Sequence, residues 1–319
     1  MQRTTTALIL LSVSTACAQE DTYLSPKAAG PDYQLQGEYT GQLTVDGEQI
    51  PFGLQVIALG DHKFDAVGYP GGLPGAGWNG EEKIRANGST KDGVTVLTSD
   101  TGKAVIKDGV ATISGNEDGE IGTLKKVERK SPTLGKAAPR NAIVLFDGTS
   151  ADQFERGELV EGKWLAANCE SKQKFGDHHL HIEFRTPFKP KARGQGRGNS
   201  GVYLQSRYEC QVLDSFGLEG ENNECGGIYK IARPAVNACF PPLTWQTYDI
   251  DFTAAKWEDG KKVQNARATI RHNGIVIHDD LELPHGTPGK KPEAEGPEAL
   301  YLQGHGNPVV YRNIWVIEK

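Results

Sequence analysis

Short runs in which apolar and polar residues alternate recur along the chain, separated by glycine, proline, asparagine and aspartate. This period of two predicts β-strands whose successive side chains face opposite sides of a sheet. No long run shows the 3.6-residue period of an amphipathic helix. Since the 319 residues also include 39 glycines and 17 prolines, the pattern predicts an all-β, loop-rich protein.

The N-terminal half contains short predicted strands over residues 33–127. An Asp-Gly pair follows two of them, which is a strong hairpin signal. The Gly/Pro-rich stretch Gly68–Trp78 is expected to be a loop, and its Trp78 offers a possible sugar-stacking ring. We interpret residues 19–127 as a small accessory β-sandwich or barrel. Its clearest strands are Glu38–Val45, Pro51–Leu59, Val94–Thr98, Lys103–Lys107 and Val110–Ser114.

Residues 128–140 are polar, contain proline and lack periodicity, so they are interpreted as a linker. A second domain is expected over residues 141–319. It opens with the apolar run 143–146, contains a hairpin around Asn273-Gly274 and ends with two strand-like runs, 299–305 and 309–317. Its number of alternating strands is sufficient for two packed sheets.

The first 18 residues have the pattern of a secretory signal. Ala7–Val13 form a short apolar run, and Ala16-Cys17-Ala18 fits a cleavage site before Gln19. The run is too short to span a bilayer. We therefore expect an exported protein, periplasmic or extracellular, with no membrane span. Lipid modification of Cys17 is the alternative.

Four cysteines follow the leader, and an exported chain permits disulfides among them. The pair Cys225–Cys239 would close a short loop and is the preferred bridge. Cys169 and Cys210 would either bridge strands or remain reduced. The absence of a Cys-x-x-Cys motif argues against a thiolate zinc site.

The formal net charge is −6, and no basic stripe runs along the sequence. Nucleic-acid binding is therefore not expected. The one local basic cluster lies in a glycine-rich loop, where it is interpreted as a solvated or anion-facing rim. It comprises Lys189, Lys191, Arg193 and Arg197.

Three consecutive strand-like runs each carry polar groups on one face. The first, Asp177–Arg185, directs its apolar residues to one side and His179, His181, Glu183 and Arg185 to the other. The next two place Tyr203 with Gln205, and Glu209 with Gln211, on their polar sides. We expect these faces to meet in one shared hollow that suits a polar ligand such as a sugar.

Residues 141–319 resemble the 3-keto-disaccharide hydrolase family, formerly a domain of unknown function. The resemblance implies a concanavalin-like jelly-roll sandwich that acts on glycosides with a ketone at sugar carbon 3. This sequence departs from the family by Trp245-Gln246 in place of Trp-Asn, and by a longer basic loop, 189–198. The segments that carry the resemblance are Leu145–Thr149, Glu183–Arg185, Gly198–Leu204, Tyr208–Asp214, Gly227–Tyr229, Pro241–Trp245, Leu302–Gly306 and Tyr311–Ile314.

A ketone at C3 makes the C2 hydrogen acidic, so a base and an acid can eliminate the group at C1, and water can then complete a net hydrolysis. The proposed proton carriers are Glu183, Glu209 and His181. Direct hydrolysis by two carboxylates, Glu183 with Glu209 or Glu209 with Asp214, is the competing mechanism. The candidate substrate-binding residues are Arg185, Asn199, Tyr203, Gln205, Gln211, Tyr229, Lys230, Trp245, Gln303 and His305.

His179, His181 and Glu183 have the i, i+2, i+4 spacing of metal ligands on a strand, so a divalent ion is a possible cofactor. Two other classes of function remain open. The polar face could belong to a non-catalytic carbohydrate-binding module, or to an interaction domain without catalytic chemistry. Convergence of two proton carriers on one pocket would favour an enzyme.

Overall fold

The computed structural model describes residues 21–117 and 119–319. The predicted leader, its cleavage site and the alternative lipid anchor at Cys17 lie outside these residues. Within the described part, no helix is long and apolar enough to cross a membrane. The all-β prediction is confirmed, because strands dominate and the helical elements are α1 (Gly30–Leu35) and a 3₁₀ turn at Gly194–Gly196.

The N-terminal strands form a closed antiparallel barrel, in which each strand pairs with the next and the last returns to the first. Closure removes the free sheet edges. Of the two architectures expected here, the structure has the barrel. Its strands are β1 (Gly37–Val45), β2 (Glu48–Gly60), β3 (Lys63–Pro70), β4 (Ile84–Lys91), β5 (Val94–Thr98), β6 (Gly102–Lys107), β7 (Val110–Gly115) and β8 (Glu120–Val127).

The predicted hairpin turns of the barrel are present. Asp46 and Asp108 have φ of 51° and 50°, and the glycine after each also has a positive φ, as a type I′ turn requires. Two local predictions were wrong. Strand β3 continues through Gly68 to Pro70, and residues 33–35 end helix α1, which begins with a proline in its first turn.

The C-terminal strands form two sheets that pack face to face. The smaller sheet has the order β10-β13-β22-β15-β16, and the larger has the order β11-β12-β23-β14-β17-β20-β21, with β9 also paired to β23. Strands β18 and β19 form a separate hairpin. The strands are β9 (Ile143–Phe146), β10 (Phe154–Glu155), β11 (Leu159–Val160), β12 (Trp164–Ala166), β13 (Cys169–Phe175), β14 (His178–Arg185), β15 (Ser200–Leu204), β16 (Tyr208–Val212), β17 (Gln246–Thr253), β18 (Lys256–Glu258), β19 (Lys261–Gln264), β20 (Ala266–His272), β21 (Ile275–Leu283), β22 (Glu298–Leu302) and β23 (Val310–Glu318).

The core of this sandwich lies between the two sheets, and the expected jelly-roll class is confirmed. Leu180 and Ile182 of β14 belong to the same buried cluster as Val202 of β15 and Cys210 of β16. Because β14 lies in the larger sheet and β15 and β16 in the smaller one, their polar sides point away from this core in opposite directions. The sandwich therefore has two polar outer faces.

The barrel packs directly on the sandwich. Phe188 and Leu243 of the C-terminal part belong to the apolar cluster of the barrel. The backbone of Tyr23 pairs with that of Phe188. Residues 128–140, interpreted as a linker, contain no strand. At their start, the guanidinium of Arg129 donates hydrogen bonds to the buried carboxylate of Glu38 in β1.

The expected Cys225–Cys239 disulfide is wrong for this structure, since both residues are buried thiols, as are Cys169 and Cys210. The thiols of Cys225 and Cys239 share a hydrogen bond. All four lie in the apolar core of the sandwich, where burial holds the pKa of the Cys239 thiol well above its usual range. They behave as small apolar core residues.

Candidate active site

The outer face of the smaller sheet gathers several polar residues predicted from sequence. In the register of β15 and β16, Tyr203 lies opposite Glu209 and Gly201 opposite Gln211. Strand β22 places Tyr301 beside Tyr203, and Gln303 follows two residues later. We refer to Gly201, Tyr203, Glu209, Gln211, Tyr301 and Gln303 as the Glu209 face.

Glycine at position 201 makes room for Glu209, because a Cβ there would displace the Glu209 carboxylate and press on the Tyr203 ring. The backbone of β15 therefore approaches Glu209 closely. The carboxylate is packed between the ring and the bare strand, and only 3% of Glu209 is exposed.

Burial raises the pKa of Glu209 from its ordinary value of 4.5 to about 7, although a hydrogen bond with Tyr203 opposes this shift. Among the residues that the structure describes, burial and Tyr203 are the factors that shift its pKa. A carboxyl group with a pKa near neutrality can both accept and release a proton. Such a perturbed group on a polar face is a candidate for general acid–base chemistry.

Tyr203 connects Glu209 to its neighbours. Its hydroxyl donates a hydrogen bond to the carbonyl oxygen of Pro288 at 3.0 Å and accepts one from the side-chain amide of Gln303 at 3.2 Å. The hydroxyl also lies close enough to the Glu209 carboxyl for each group to shift the pKa of the other. Burial and the nearby Glu209 both raise the pKa of Tyr203. The phenol therefore keeps its proton and acts as a donor.

A cluster of amides continues this face toward the glycine-rich loop. The Oε1 atom of Gln195 accepts hydrogen bonds from Asn199 and Gln211, each at 2.9 Å. The backbone carbonyl of Asn223 accepts from Gln195 at 2.8 Å and from Gln211 at 3.3 Å. The side chains of Asn199 and Gln211 are thus fixed in orientation by their amino groups.

Three buried acceptor oxygens near Glu209 have no partner among the described residues. They are Oδ1 of Asn199, Oε1 of Gln211 and Oε1 of Gln303. Buried polar atoms are normally satisfied, so orphans require an explanation. Sugar hydroxyls are donors, and three fixed acceptors beside a titratable carboxyl suit a carbohydrate ligand.

The remaining predicted ligands of this region differ in position. Tyr229 is half-buried and close enough to Tyr203 to raise the pKa of its hydroxyl. Lys230 is exposed and lies over the Tyr229 ring. His305 is exposed just beyond β22. Gln205 instead closes the turn after β15, where its amide donates to the carbonyl of Phe175.

The other polar face is covered by the segment that joins the two domains. Glu183 accepts hydrogen bonds from the backbone NH of Gly135, from Arg312 at 2.7 Å and from Asn313 at 2.9 Å. Thr133 donates to Asp249 at 2.6 Å. Glu183 is fully buried in this network.

His181 lies between two carboxylates of this covered face. Its Nδ1 is 2.7 Å from Asp249 and its Nε2 is 3.7 Å from Glu183, and its ring stacks on Trp315. Burial opposes charge on both His181 and Glu183. The hydrogen bonds outweigh burial, so the pKa of His181 rises and that of Glu183 falls to about 2. This network attaches residues 133–136 to the sheet.

His179, the third residue of the suggested metal set, pairs with Asp251 at 3.1 Å. Within the described residues, no group of three or more His, Cys, Asp and Glu side chains is arranged to hold a metal ion. His179 and His181 face Asp251 and Asp249 of strand β17, whereas Glu183 faces Arg312 of β23.

Arg185 and Trp245 lie together, away from the Glu209 face. The Arg185 guanidinium is 4.1 Å from the ring of Trp164 and 5.2 Å from that of Trp245. Arg312 lies 4.1 Å from Trp245 on the same side. Arg185 and Trp245 therefore join the network around Glu183.

The expectation of one shared hollow is wrong. Glu183, His181, Arg185 and Trp245 belong to the outer face of the larger sheet, whereas Glu209 belongs to the smaller sheet. The carboxylate pair Glu183 and Glu209 is not assembled for direct hydrolysis, because the sandwich core separates the two residues. Asp214 is held by Arg197 in a buried ion pair at 2.7 Å.

Sequence reasoning missed two residues of this region. Gln195 orients two of the predicted substrate-binding residues. It lies in the glycine-rich loop, where the sequence signal comes from the basic residues. Tyr301 precedes Gln303 by two residues, so the period-two rule that selected Tyr203 could have found it. Lys290 lies 4.2 Å from the Tyr301 ring.

The C-terminal part is a jelly-roll sandwich with a titratable carboxyl and unpartnered amide oxygens on one face. Residues 141–317 match the model of the 3-keto-alpha-glucoside-1,2-lyase-like domain. This match spans more than half of the chain, and the chain belongs to that family.

Solved structures are also similar to this chain. A putative glycosyl hydrolase from Parabacteroides distasonis ATCC 8503, solved at 2.13 Å, is 33% identical with a TM-score of 0.53, and the match covers 57% of this chain and 85% of that one. A second putative glycosyl hydrolase from this organism, solved at 1.70 Å, is 15% identical with a TM-score of 0.42. That match covers 56% of this chain and 94% of the other chain. No curated protein matches this chain. The family match and the first of these structures together support a glycoside-processing enzyme.

Proposed function

We propose that this protein cleaves 3-keto-glycosides by removing the proton at C2, with Glu209 as the base. The observation that carries the proposal is the buried Glu209 carboxyl. Its pKa is raised to about 7, and it lies on the same side of the smaller sheet as three unpartnered amide oxygens. A base near neutral pKa combines a useful ionised fraction with sufficient basicity. The family of residues 141–317 supports the 3-keto substrate.

The reaction follows from the position of the ketone. Glu209 takes the C2 proton, and the electrons of the C–H bond form an enolate with the C3 carbonyl. Return of these electrons expels the oxygen at C1 and leaves a C1–C2 double bond. The departing oxygen takes a proton, and addition of water across the double bond yields the free 3-keto sugar.

Tyr203 is the residue best placed to assist Glu209. Its raised pKa keeps the hydroxyl protonated. This single proton, which the carbonyl of Pro288 accepts in the structure, could instead be donated to the carboxylate or to an oxygen of the substrate. Asn199, Gln211 and Gln303 would accept hydrogen bonds from sugar hydroxyls. Fixed acceptors of this kind orient a substrate without reorganisation during the reaction.

A deuterium experiment tests this proposal. The full chain is incubated with a 3-keto-disaccharide in deuterated water, and deuterium at C2 is measured in the recovered sugar. We expect incorporation with the wild type and none with Glu209→Gln. Glu298→Gln is the matched control, because Glu298 belongs to the same sheet but forms ion pairs with Lys174 and Lys291.

The outcomes separate the mechanisms. Cleavage by the wild type without deuterium at C2 would reject proton abstraction and favour direct hydrolysis. Binding of the sugar without cleavage would instead favour a carbohydrate-binding module. If Glu209→Gln retained incorporation while Glu298→Gln lost it, the base would be a different residue.

A further inference from the structure

The two ends of the N-terminal barrel differ. One end, where β2 turns into β3, is covered by helix α1, whose Tyr33 and Leu35 pack against the barrel cluster. The carbonyl oxygen of the Gln36 side chain also accepts a hydrogen bond from the backbone of Ala58. The opposite end is formed by the connections β1–β2, β3–β4, β5–β6 and β7–β8.

A cavity of about 430 Å³ enters the barrel at this opposite end. Its wall consists of inward-facing apolar side chains, while Asp46, Glu82, Thr101 and Lys103 stand at the rim and are exposed. A volume in this range is typical of small-molecule sites. The apolar wall includes Leu43, Phe52, Leu54, Ile84, Leu97 and Ile113.

The cavity exists because small residues occupy inward positions of three strands. Gly68 of β3, Ala86 of β4 and Ala104 of β6 all line it. An eight-stranded barrel has an interior that side chains can either fill or leave open for one small ligand. At the α1 end, the large residues Tyr39, Phe64 and Ile106 fill it.

The alternation of the strands shows that this apolar lining is specific to the interior. Along β4, the inward residues Ile84 and Ala86 are half-buried, whereas Arg85 and Asn87 between them are polar and exposed. Half-buried apolar side chains inside a closed barrel are poorly shielded from water. An apolar ligand would remove this surface from solvent, which stabilises the bound state.

We infer that the barrel is a binding site for one small apolar molecule with a polar end. The apolar body occupies the cavity between Phe52, Leu97 and Ile113. The polar end lies at the rim, where charged and hydroxyl side chains meet solvent. This site is separate from the Glu209 face and does not depend on the reaction proposed there.

Fluorescence titration with N-phenyl-1-naphthylamine tests the inference on the full chain. We expect one probe per chain, with enhanced emission. Ile113→Trp fills the cavity and should weaken binding by at least about tenfold. Val110→Trp is the matched control, because Val110 lies on the same strand but is 36% exposed on the outside; it should leave binding unchanged.

Circular dichroism shows whether Ile113→Trp is folded. If it is not, Ala86→Leu replaces it as the test, because it narrows the same cavity from strand β4 and should also weaken probe binding. Absence of saturable probe binding to the wild type would overturn the inference. Equal affinity of the wild type and a folded cavity-filling variant would also overturn it, because the probe would then bind elsewhere.

Discussion

Glu209→Gln should change how the stability of this protein depends on pH. Folding raises the pKa of the Glu209 carboxyl from 4.5 to about 7. The folded chain therefore retains this proton at pH values where the unfolded chain has released it. The resulting contribution to stability is complete below pH 4.5 and is lost as the pH rises through about 7.

The size of the effect follows from the same values. Each pH unit between them is worth about 1.4 kcal/mol, so the wild type should lose about 3 kcal/mol relative to Glu209→Gln between about pH 4 and about pH 8. Other titrating groups cancel in this difference. Urea unfolding of both proteins at several pH values measures it. Parallel stability curves would refute the assignment of a buried, proton-retaining carboxyl.

Three further results are expected. Tyr203→Phe removes the hydrogen bond that lowers the pKa of Glu209, so the pH–rate profile should shift to higher pH; an unshifted profile would contradict their coupling. Glu183→Gln removes the carboxylate shared by the buried His181 and the half-buried Arg312. It should cost about 1–3 kcal/mol of unfolding free energy at neutral pH, whereas a loss well below about 1 kcal/mol would place Glu183 among weak surface pairs. A denatured chain starting at residue 21 should titrate four thiols, and two would reveal a disulfide.

The strands and their polar faces could be predicted because period-two alternation is a local property. The runs around Leu180 and Val202 have apolar sides that fill the core as expected. Asp-Gly pairs at 46 and 108 also identified their turns, because few other residue pairs tolerate two positive φ values. Local sequence rules are therefore sufficient to predict the all-β class and several of its turns.

The assignment of strands to sheets could not be predicted in this way. Alternation shows that Glu183 points away from Leu180, and that Glu209 points away from Cys210. It does not show that β14 and β16 lie in different sheets, whose apolar sides face each other. Since the two apolar sides meet in the core, the two carboxylates necessarily point outward in opposite directions.

The alternation of polar and apolar residues also does not show which sheet face a distant segment will cover. The sequence of residues 133–136 predicts only part of a linker, but Thr133 and Gly135 form hydrogen bonds with side chains of the larger sheet. This cover converts the face around Glu183 into a buried network. On the smaller sheet, Gln195 contacts the candidate site from a loop. Because a loop has no period-two alternation, the pattern could not predict this contact.

The most direct test of the central claim compares the turnover of one 3-keto-disaccharide by Glu209→Gln and Glu183→Gln under conditions where both are folded. We expect kcat/KM to fall by about 10²–10⁴-fold for Glu209→Gln and by less than about threefold for Glu183→Gln, because the proposed mechanism assigns the C2 proton to Glu209 and no proton transfer to Glu183. Retained turnover in Glu209→Gln, together with its loss in Glu183→Gln, would contradict this account and place the chemistry on the larger sheet.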